Sequence, residues 1–366
     1  MFRYPEGEQS GGQLRYLHGL PVLTVAGSPE GMGEAVGALA LRPAGPMAAY
    51  PVQLLHKYGG GWLERLFTRL GEGMIGRLEP SYRAEFEAIA RTCGHPRGWM
   101  VLGNTLFDIK KLFACSAVLV EAERSATEGP LLGRNLDYPS EGYAHEYSLV
   151  TVYRPEGKLG FVSVGFPGLV GVLSGMNEAG LTLAILEVFQ APLFVRRLNL
   201  AGTPYAVCFR KILEECRTID EARHLLSRLR RTTYFNVALA DRGRVAAFEV
   251  TPARVHERCS AAGFAICSNH FQHRNLEHAF RINFLQTFDR ERTLRRAASR
   301  QPRLGVADVQ GGLHQAHQND HTLQTMVFEP GPLRLHLAVG QLPSSGGPLV
   351  TLELADLLQG RSPKRD

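Results

Sequence analysis

The chain contains 366 residues, of which 44% are apolar and 21% are charged, and this composition excludes a disordered or fibrous protein. The formal net charge is +6, but the lysines and arginines are spread along the chain instead of forming a basic stripe, so we expect no nucleic-acid partner. No apolar run is long enough for a transmembrane segment, and the N-terminus lacks the apolar core of a signal peptide, so we expect a cytoplasmic protein.

The predicted elements begin with a strand at 22–27, followed by a glycine-rich turn that misses the phosphate-binding GxGxxG spacing by one residue. Apolar residues recur at helical spacing over about 47–93 and again over 99–109. From Cys115 onwards the pattern changes to short apolar runs, which predict strands. These runs cover 115–121, 130–138, 147–154, 160–166, 169–176, 180–189, 234–241, 244–251, 263–269 and 333–340.

Two helical stretches, 203–230 and 278–299, separate the later blocks of strands. Blocks of strands joined by short turns and interrupted by helices predict an α+β layered fold with mainly antiparallel sheets.

The number and spacing of the cysteines and histidines argue against a disulfide scaffold and against a metal site. Six cysteines are too few for a disulfide scaffold in a chain of this length, and the absence of a CxxC pair argues against a zinc–thiolate site. Two groups of histidines have spacings that a metal could use, but they lie in polar stretches that predict solvated loops. These groups are His314, His317 and His321, and His270 and His273. We therefore expect neither a metal nor a cofactor.

One hairpin carries a candidate nucleophile. If the turn between the strands at 115–121 and 130–138 centres on residue 126, antiparallel pairing places Cys115 opposite Asp137, with Arg134 nearby. A thiol beside an arginine and a carboxylate is an arrangement typical of an activated cysteine, because the cation favours the thiolate. A buried strand cysteine near an ion pair is the alternative interpretation.

The residues CSAV (115–118) and GRNLDY (133–138) resemble a family pattern of a cysteine, a short strand and then G-[RQ]-N-x-D. The pattern is that of the N-terminal nucleophile (Ntn) hydrolases in the superfamily of choloylglycine hydrolase, acid ceramidase and acyl-coenzyme A:6-aminopenicillanic-acid acyltransferase. The resemblance covers about residues 22–340. Further segments that resemble the family are GSPEGMGEAVG, VLGNTLFDIKKLFAC, GLVGVLSGMNEAGLTLAILE, FAICSNHF, TFDRERTL and TLQTMVFEPGPLRLHLAVG.

The resemblance implies a four-layer αββα sandwich. Residues 1–114 would form a mostly helical pro-segment, and residues 115–366 would form the catalytic domain. Attack of the Cys115 thiol on the preceding carbonyl would cut the bond between Ala114 and Cys115, and the processed chains would stay associated. The new α-amino group titrates near neutral pH, so it can serve as general base to its own thiol.

Four further roles follow from the resemblance alone. Asp137 would hold the new α-amino group, and Arg134 would stabilise the thiolate. Asn269 would donate its side-chain amide to the oxyanion, the interaction that usually contributes most in acyl transfer. Arg290 would support the thiolate electrostatically, with Arg292 as the rival position.

Asn177 and Glu187 fall in the region that the resemblance assigns to substrate and oxyanion binding. Glu187 stands where related enzymes carry an asparagine donor, and an ionised carboxylate cannot donate a hydrogen bond.

The expected substrate is a small-molecule N-acyl amide, cleaved at a linear, non-peptide C–N bond. Two alternatives remain open: an acyltransferase that passes the acyl group to an amine acceptor, and an unprocessed, non-catalytic binding scaffold. The sequence does not indicate an oligomeric state.

Overall fold

The computed structural model describes residues 1–111, 114–276 and 282–361. The strands in these ranges are β1 (Gly7–Gln9), β2 (Gly12–Leu17), β3 (Leu20–Gly27), β4 (Ala114–Val120), β5 (Leu131–Asp137), β6 (Leu149–Pro155), β7 (Phe161–Gly165), β8 (Ser174–Asn177), β9 (Thr182–Glu187), β10 (Phe235–Ala240), β11 (Val245–Val250), β12 (Val255–Arg258), β13 (Phe264–Cys267), β14 (Thr322–Glu329), β15 (Arg334–Val339) and β16 (Val350–Glu353).

The α-helices in the same ranges are α1 (Pro29–Ala35), α2 (Gly45–Lys57), α3 (Glu64–Ile75), α4 (Pro80–Thr92), α5 (Arg97–Ile109), α6 (Tyr205–Glu215), α7 (Ile219–Arg228), α8 (Thr287–Arg300), α9 (Val306–Gln315) and α10 (Leu354–Leu358). The helical pattern predicted over 47–93 corresponds mainly to α2, α3 and α4. The helix predicted at 278–299 begins at Thr287, and its residues 278–281 lie outside the described ranges.

The strands form two sheets. The larger has the order β1-β2-β3-β6-β7-β8-β9-β10-β11-β12, and the smaller has the order β13-β4-β5-β14-β15-β16. The strand pairs are antiparallel except for β3 and β6, which are parallel. The predicted α+β fold with mainly antiparallel sheets is confirmed.

The smaller sheet is apolar on both faces, which explains the layered arrangement. Leu119 and Leu132 pack in the main core, whereas Val118 and Val120 pack in a second core with residues of α8 and α9. Across the main core β4 contacts β9 of the larger sheet, and α6 packs on β8 and β9. The order of layers is therefore helix, sheet, sheet, helix.

Residues 1–114 are not a purely helical segment. Before the first helix, β1, β2 and β3 extend the larger sheet, and β3 pairs in parallel with β6 from Val22↔Val150 to Gly27↔Pro155. The strands within residues 7–27 thus belong to the same sheet as strands that follow Cys115. Any cleavage after Ala114 would leave the two pieces joined by this ladder of hydrogen bonds.

The glycine-rich turn has a packing explanation. Ser28 caps α1 by accepting a hydrogen bond from the Gly31 N–H at 3.2 Å. A Cβ on Gly33 would lie 2.4 Å from the Glu85 carbonyl oxygen, and one on Gly37 would lie 2.1 Å from Thr92 Oγ1. These glycines therefore allow α1 and the π-helical turn after it to lie directly against α4.

A buried ionic network ties the N-terminal helices to the rest of the chain. Arg210 on α6 lies 2.7 Å from Glu85 on α4 and 2.7 Å from Glu214, and all three side chains are buried. Removing one partner of such a network leaves an unpaired buried charge, which costs several kcal/mol. In the described ranges no helix has both the length and the hydropathy to cross a membrane.

Candidate active site

Cys115 lies on β4, and the register of β4 with β5 determines what surrounds its thiol. The observed partners are Ala114↔Asp137, Cys115↔Leu136 and Ala117↔Arg134. The predicted pairing of Cys115 with Asp137 is therefore wrong by one residue. Because strand side chains alternate between faces, Asp137 points to the opposite face from Cys115, while Arg134 shares the face of the thiol.

Three separate side chains hold the three polar atoms of Cys115. Its main-chain N–H donates to Asn269 Oδ1 at 2.8 Å, and its Sγ lies 3.1 Å from Arg134 Nη2. Its carbonyl oxygen accepts a hydrogen bond from Arg290 Nη1 at 2.6 Å. The residue is 1% exposed, so these contacts form in a water-excluded environment where electrostatic interactions are strong.

Arg134 connects the thiol to the larger sheet. Its Nη1 donates to the Leu173 carbonyl oxygen and to the Ser174 hydroxyl, at the start of β8. The side chain is fully buried, and these contacts fix the plane of its guanidinium. The structure therefore brings this sequence-predicted residue to the thiol.

Of the two candidate arginines on α8, Arg290 is the one that reaches the cysteine. It is 2% exposed and donates to Ser116 Oγ at 2.8 Å and to Asn269 Oδ1 at 2.7 Å, in addition to the Cys115 carbonyl oxygen. Arg292 lies on the exposed side of the helix and pairs with Asp289.

Asp137 lies beside Arg290, which in turn contacts Cys115. Its Oδ1 accepts a hydrogen bond from Thr322 Oγ1 at 2.6 Å, and its Oδ2 lies 3.7 Å from Arg290 Nη1. Within the part of the chain that the structure describes, no hydrogen bond joins Asp137 to the Cys115 nitrogen. Thr322, on β14, was missed by sequence reasoning because nothing near it in the chain indicates a polar partner for a carboxylate on β5.

The Asn269 amide has a defined orientation. Its Oδ1 accepts from two donors, the Cys115 N–H and Arg290 Nη2, whereas its Nδ2 donates to the Glu187 carbonyl oxygen at 2.7 Å. An exchange of the oxygen and nitrogen positions would make all three contacts repulsive. The structure thus brings Asn269 to the nucleophile, with its oxygen directed at the Cys115 nitrogen.

Burial has the largest effect on the pKa values of Cys115 and Asp137. It raises the pKa of the Cys115 thiol, and Arg134 only partly opposes this effect, so the thiol of the uncleaved chain is held neutral. Arg134 favours the thiolate, as the sequence led us to expect, but burial has the larger effect on the pKa of the thiol. Burial also raises the pKa of Asp137, against the opposing charge of Arg290.

Glu187 and Asn177 have different surroundings. Glu187 is buried at the end of β9, where its main chain contacts Asn269 and its Oε1 lies 3.5 Å from the Tyr205 hydroxyl. The Asn177 amide instead closes the turn between β8 and β9 and donates to the carbonyl oxygens of Leu213 and Cys216. The structure brings Glu187 to the site and gives Asn177 a structural role.

An apolar cavity of about 70 Å³ lies between the N-terminal helices and the larger sheet. Its wall includes Leu173, whose carbonyl oxygen is bound by Arg134, and Tyr205, whose hydroxyl faces Glu187. Met100 and Phe107 of α5 contribute apolar surface. The cavity therefore adjoins the Cys115 site and is lined by both halves of the chain.

Asp108 is a buried carboxylate in the wall of this cavity, and sequence reasoning missed it because it lies inside an apolar helix. It accepts hydrogen bonds from the Tyr205 main-chain N–H at 2.9 Å and from the Thr232 hydroxyl. Burial raises the pKa of Asp108 to about 6, against these two hydrogen bonds and the charge of Lys111.

Asp108 should make stability depend on pH. Between the unfolded pKa of about 3.9 and the folded pKa of about 6, the folded state keeps a proton that the unfolded state releases, so stability falls as pH rises by up to about 3 kcal/mol. Asp108→Asn keeps an acceptor for both donors, and we expect it to remove this decline. Urea unfolding at pH 5 and pH 8 should show about 1.4 kcal/mol of this decline, with exposed Asp220→Asn as control. An unchanged pH dependence in Asp108→Asn would contradict the assignment.

The chain has two helical layers around two sheets, and its candidate cysteine lies at the start of an inner strand. This arrangement is that of the Ntn-hydrolase class. A family model, acyl-coenzyme A:6-aminopenicillanic acid acyl-transferase, matches residues 124–342, and the chain belongs to this family. The match contains Arg134, Asp137, Asn269 and Arg290 and begins after Cys115. A search of curated protein sequences found no match.

Several solved structures are similar to this chain at low sequence identity. A variant of conjugated bile acid hydrolase from Clostridium perfringens is 12% identical with a TM-score of 0.50, over 68% of this chain and 95% of that one. An N-acylethanolamine-hydrolyzing acid amidase ortholog from Caenorhabditis elegans is 16% identical with a TM-score of 0.46, over 59% and 93%. Penicillin V acylase from Agrobacterium tumefaciens is 13% identical with a TM-score of 0.45, over 66% and 86%.

Proposed function

We propose that this protein is a cysteine Ntn amidase that cleaves the linear C–N bond of a small N-acyl amide through an acyl-thioester on Cys115. The observation that carries the proposal is the separate binding of the nitrogen, sulfur and carbonyl oxygen of Cys115 by three buried side chains. A structural cysteine needs no such contacts. An N-terminal nucleophile needs its nitrogen and sulfur positioned independently, because they act as base and nucleophile.

Maturation is the first step of the proposed mechanism. The Cys115 sulfur attacks the Ala114 carbonyl carbon, the C–N bond breaks, and the thiol proton is transferred to the departing nitrogen. Water then hydrolyses the Ala114 thioester and releases a carboxylate at Ala114, a free thiol and an α-amino group at Cys115. Asn269 Oδ1 already accepts the N–H of this nitrogen, so it would hold the new amine after cleavage.

Turnover uses the new α-amino group as general base. With a pKa of about 7.7–8.0 in water, an α-amine can accept the thiol proton near neutral pH and return it to the leaving amine. Arg134, 3.1 Å from the sulfur, stabilises the developing thiolate and so partly offsets the burial that keeps the thiol neutral in the uncleaved chain. Water attacks the acyl-thioester and completes hydrolysis.

The acyl group of the substrate is apolar in this proposal. The cavity beside Leu173 and Tyr205 has a mostly apolar wall and adjoins the residue that binds the thiol, Arg134. An apolar acyl chain gains free energy on leaving water for such a cavity, at about 25 cal/mol per Å². The N-terminal helices supply part of the wall, so both pieces of the processed chain are needed for binding.

Acyl transfer to an amine is the second candidate, and the name of the matched family favours it. The acyl-enzyme is the same in both reactions, and exclusion of water decides whether an amine replaces it. A panel of N-acyl amides, assayed with and without an added amine acceptor, separates the two. Formation of the new amide in preference to the free acid assigns a transferase.

Processing is the direct test of the proposal. Mass spectrometry of active protein should show two fragments of 114 and 252 residues, produced by cleavage between Ala114 and Cys115. The fragments should elute together on gel filtration, because β3 pairs with β6 and Arg210 binds Glu85 across them. Fully active material that contains only the intact chain would rule out the N-terminal amine mechanism, and an inactive intact chain would favour a binding scaffold.

A further inference from the structure

A second cleft, of about 520 Å³, lies at the end of the larger sheet, and none of its lining residues belongs to the Cys115 site. Strands β2, β3 and β6 form its floor, and the C-terminal end of α10 forms one side. Arg15, Arg154 and Arg361 line it, with Gln13 and Thr24 between them. We call it the Arg15–Arg154 cleft.

The strand register explains why these side chains converge. Gln13 pairs with Thr24, which pairs with Val152, and Ala26 pairs with Arg154. Since paired residues share a face and side chains alternate along a strand, Gln13, Arg15, Thr24 and Arg154 all point to one face. The opposite face of these strands packs on α1, where a Cβ on Gly12 would meet the Ala35 Cβ at 2.4 Å.

The two central arginines, Arg15 and Arg154, have no ion-pair partner among the residues that the structure describes. The Nε atoms of Arg15 and Arg154 are buried and make no hydrogen bond, and neither guanidinium pairs with a carboxylate within residues 1–111, 114–276 and 282–361. Glu8, the one carboxylate in the described lining, accepts a hydrogen bond from Gln13 at 2.5 Å instead. Buried donors in folded proteins are almost always satisfied by protein, water or a ligand, so these two Nε groups are donors available to an anion in the cleft.

Arg154 is held in the cleft by the chain around it. The chain just after α10 passes close to the guanidinium: a Cβ on Gly360 would lie 1.8 Å from Arg154 Nη1, so a larger residue here would require the arginine to move. Gly360 has a φ of +73°, which glycine adopts without strain. Arg154 is therefore half-buried, with the chain after α10 beside its guanidinium.

We propose that the Arg15–Arg154 cleft binds a small molecule through a phosphate ester or pyrophosphate group. Three arginines and one glutamate line the cleft, and although Arg361 also lies 4.0 Å from Asp356, positive charge exceeds negative charge there, which favours an anionic phosphate group. Guanidinium groups bind phosphate oxygens through paired N–H donors, and the unpaired Nε atoms supply donors of this kind. The site is separate from the proposed catalytic cysteine and does not depend on its function.

The test uses the full chain with inorganic pyrophosphate as probe. We expect saturable binding by calorimetry with a Kd below about 1 mM, and a rise in Tm because the ligand binds the folded state. Arg15→Gln and Arg154→Gln should each weaken binding about tenfold or more and abolish the rise in Tm. Arg296→Gln, which removes the same charge from the exposed face of α8, is the matched control and should leave both unchanged.

Three results would overturn the proposal. The first is the absence of saturable binding. The second is a loss of pyrophosphate affinity in Arg296→Gln equal to that in Arg15→Gln and Arg154→Gln, which would show non-specific attraction to a basic protein. The third is a preference for lipid headgroups, measured as sedimentation with vesicles containing phosphatidic acid while soluble pyrophosphate neither binds nor competes. Far-UV circular dichroism of Arg15→Gln and Arg154→Gln, whose side chains are only half-buried, confirms that each variant is folded.

Discussion

Replacement of Cys115 by alanine is expected to abolish self-cleavage and amide hydrolysis together. Both proposed reactions use the same sulfur atom. It lies 3.1 Å from Arg134 Nη2, and the main-chain nitrogen of Cys115 is bound by Asn269. Loss of a covalent nucleophile reduces turnover by a factor on the order of 10⁶. The measurements are the mass of the purified variant and its rate on an N-acyl amide panel, relative to processed wild-type protein.

Cys267→Ala is a closely matched control for this experiment. Cys267 is also fully buried and lies on the neighbouring strand β13, opposite Ala117, with its Sγ 3.7 Å from Arg258 Nη2. Burial raises the pKa of Cys267 to about 11, and its main-chain nitrogen has no side-chain partner in the described ranges. We expect normal processing and activity in this variant. Normal turnover in Cys115→Ala would refute the assignment of the nucleophile.

Substitution of Asn269 has the second-largest expected effect. It separates two roles of the amide: its oxygen holds the Cys115 nitrogen, and its nitrogen would donate to the oxyanion. Asn269→Ala removes both, and we expect kcat to fall about 10²–10³-fold with a smaller change in KM. Asn269→Asp keeps an acceptor for the Cys115 nitrogen but loses the Nδ2 donor that binds the Glu187 carbonyl oxygen at 2.7 Å. If the amide nitrogen stabilises the oxyanion, Asn269→Asp should be as slow as Asn269→Ala.

A near-normal kcat in Asn269→Asp would show instead that the oxygen matters, as the group that holds the nitrogen of Cys115. Wild-type kcat in Asn269→Ala would exclude both roles. Asn135→Ala is a suitable control, because Asn135 is equally buried and also uses both ends of its amide, to Leu313 and Thr325. It should lower Tm without lowering kcat.

The N-terminal 27 residues show where sequence patterns were least informative. The strands β1 and β2 are short and partly exposed, so alternation of apolar and polar residues is weak in GEQ and GQLRYL. Only the pattern at 22–27 predicted a strand. Pairing with β3, and of β3 with β6, stabilises these segments, and such long-range partners leave no local signature.

The β4–β5 hairpin shows that an error of one residue in the predicted strand register changes which side chains contact the thiol. The sequence placed both strands correctly, but the turn centre was wrong by half a residue, and the pairing therefore moved by one. A one-residue shift moves a side chain to the other face of a sheet, so it separated Asp137 from the thiol and placed it beside Arg290 instead.

The sequence by itself determined the α+β class, the order of the candidate site residues along the chain and the position of the cysteine at the start of a strand. Those features depend on local composition and on motifs of a few residues. The tertiary structure alone decided between Arg290 and Arg292, oriented the Asn269 amide and gave Asn177 a structural role. Asn269 and Arg290 lie 154 and 175 residues from Cys115 in the chain. Contacts over such separations arise from the packing of sheets and helices, which no local pattern encodes.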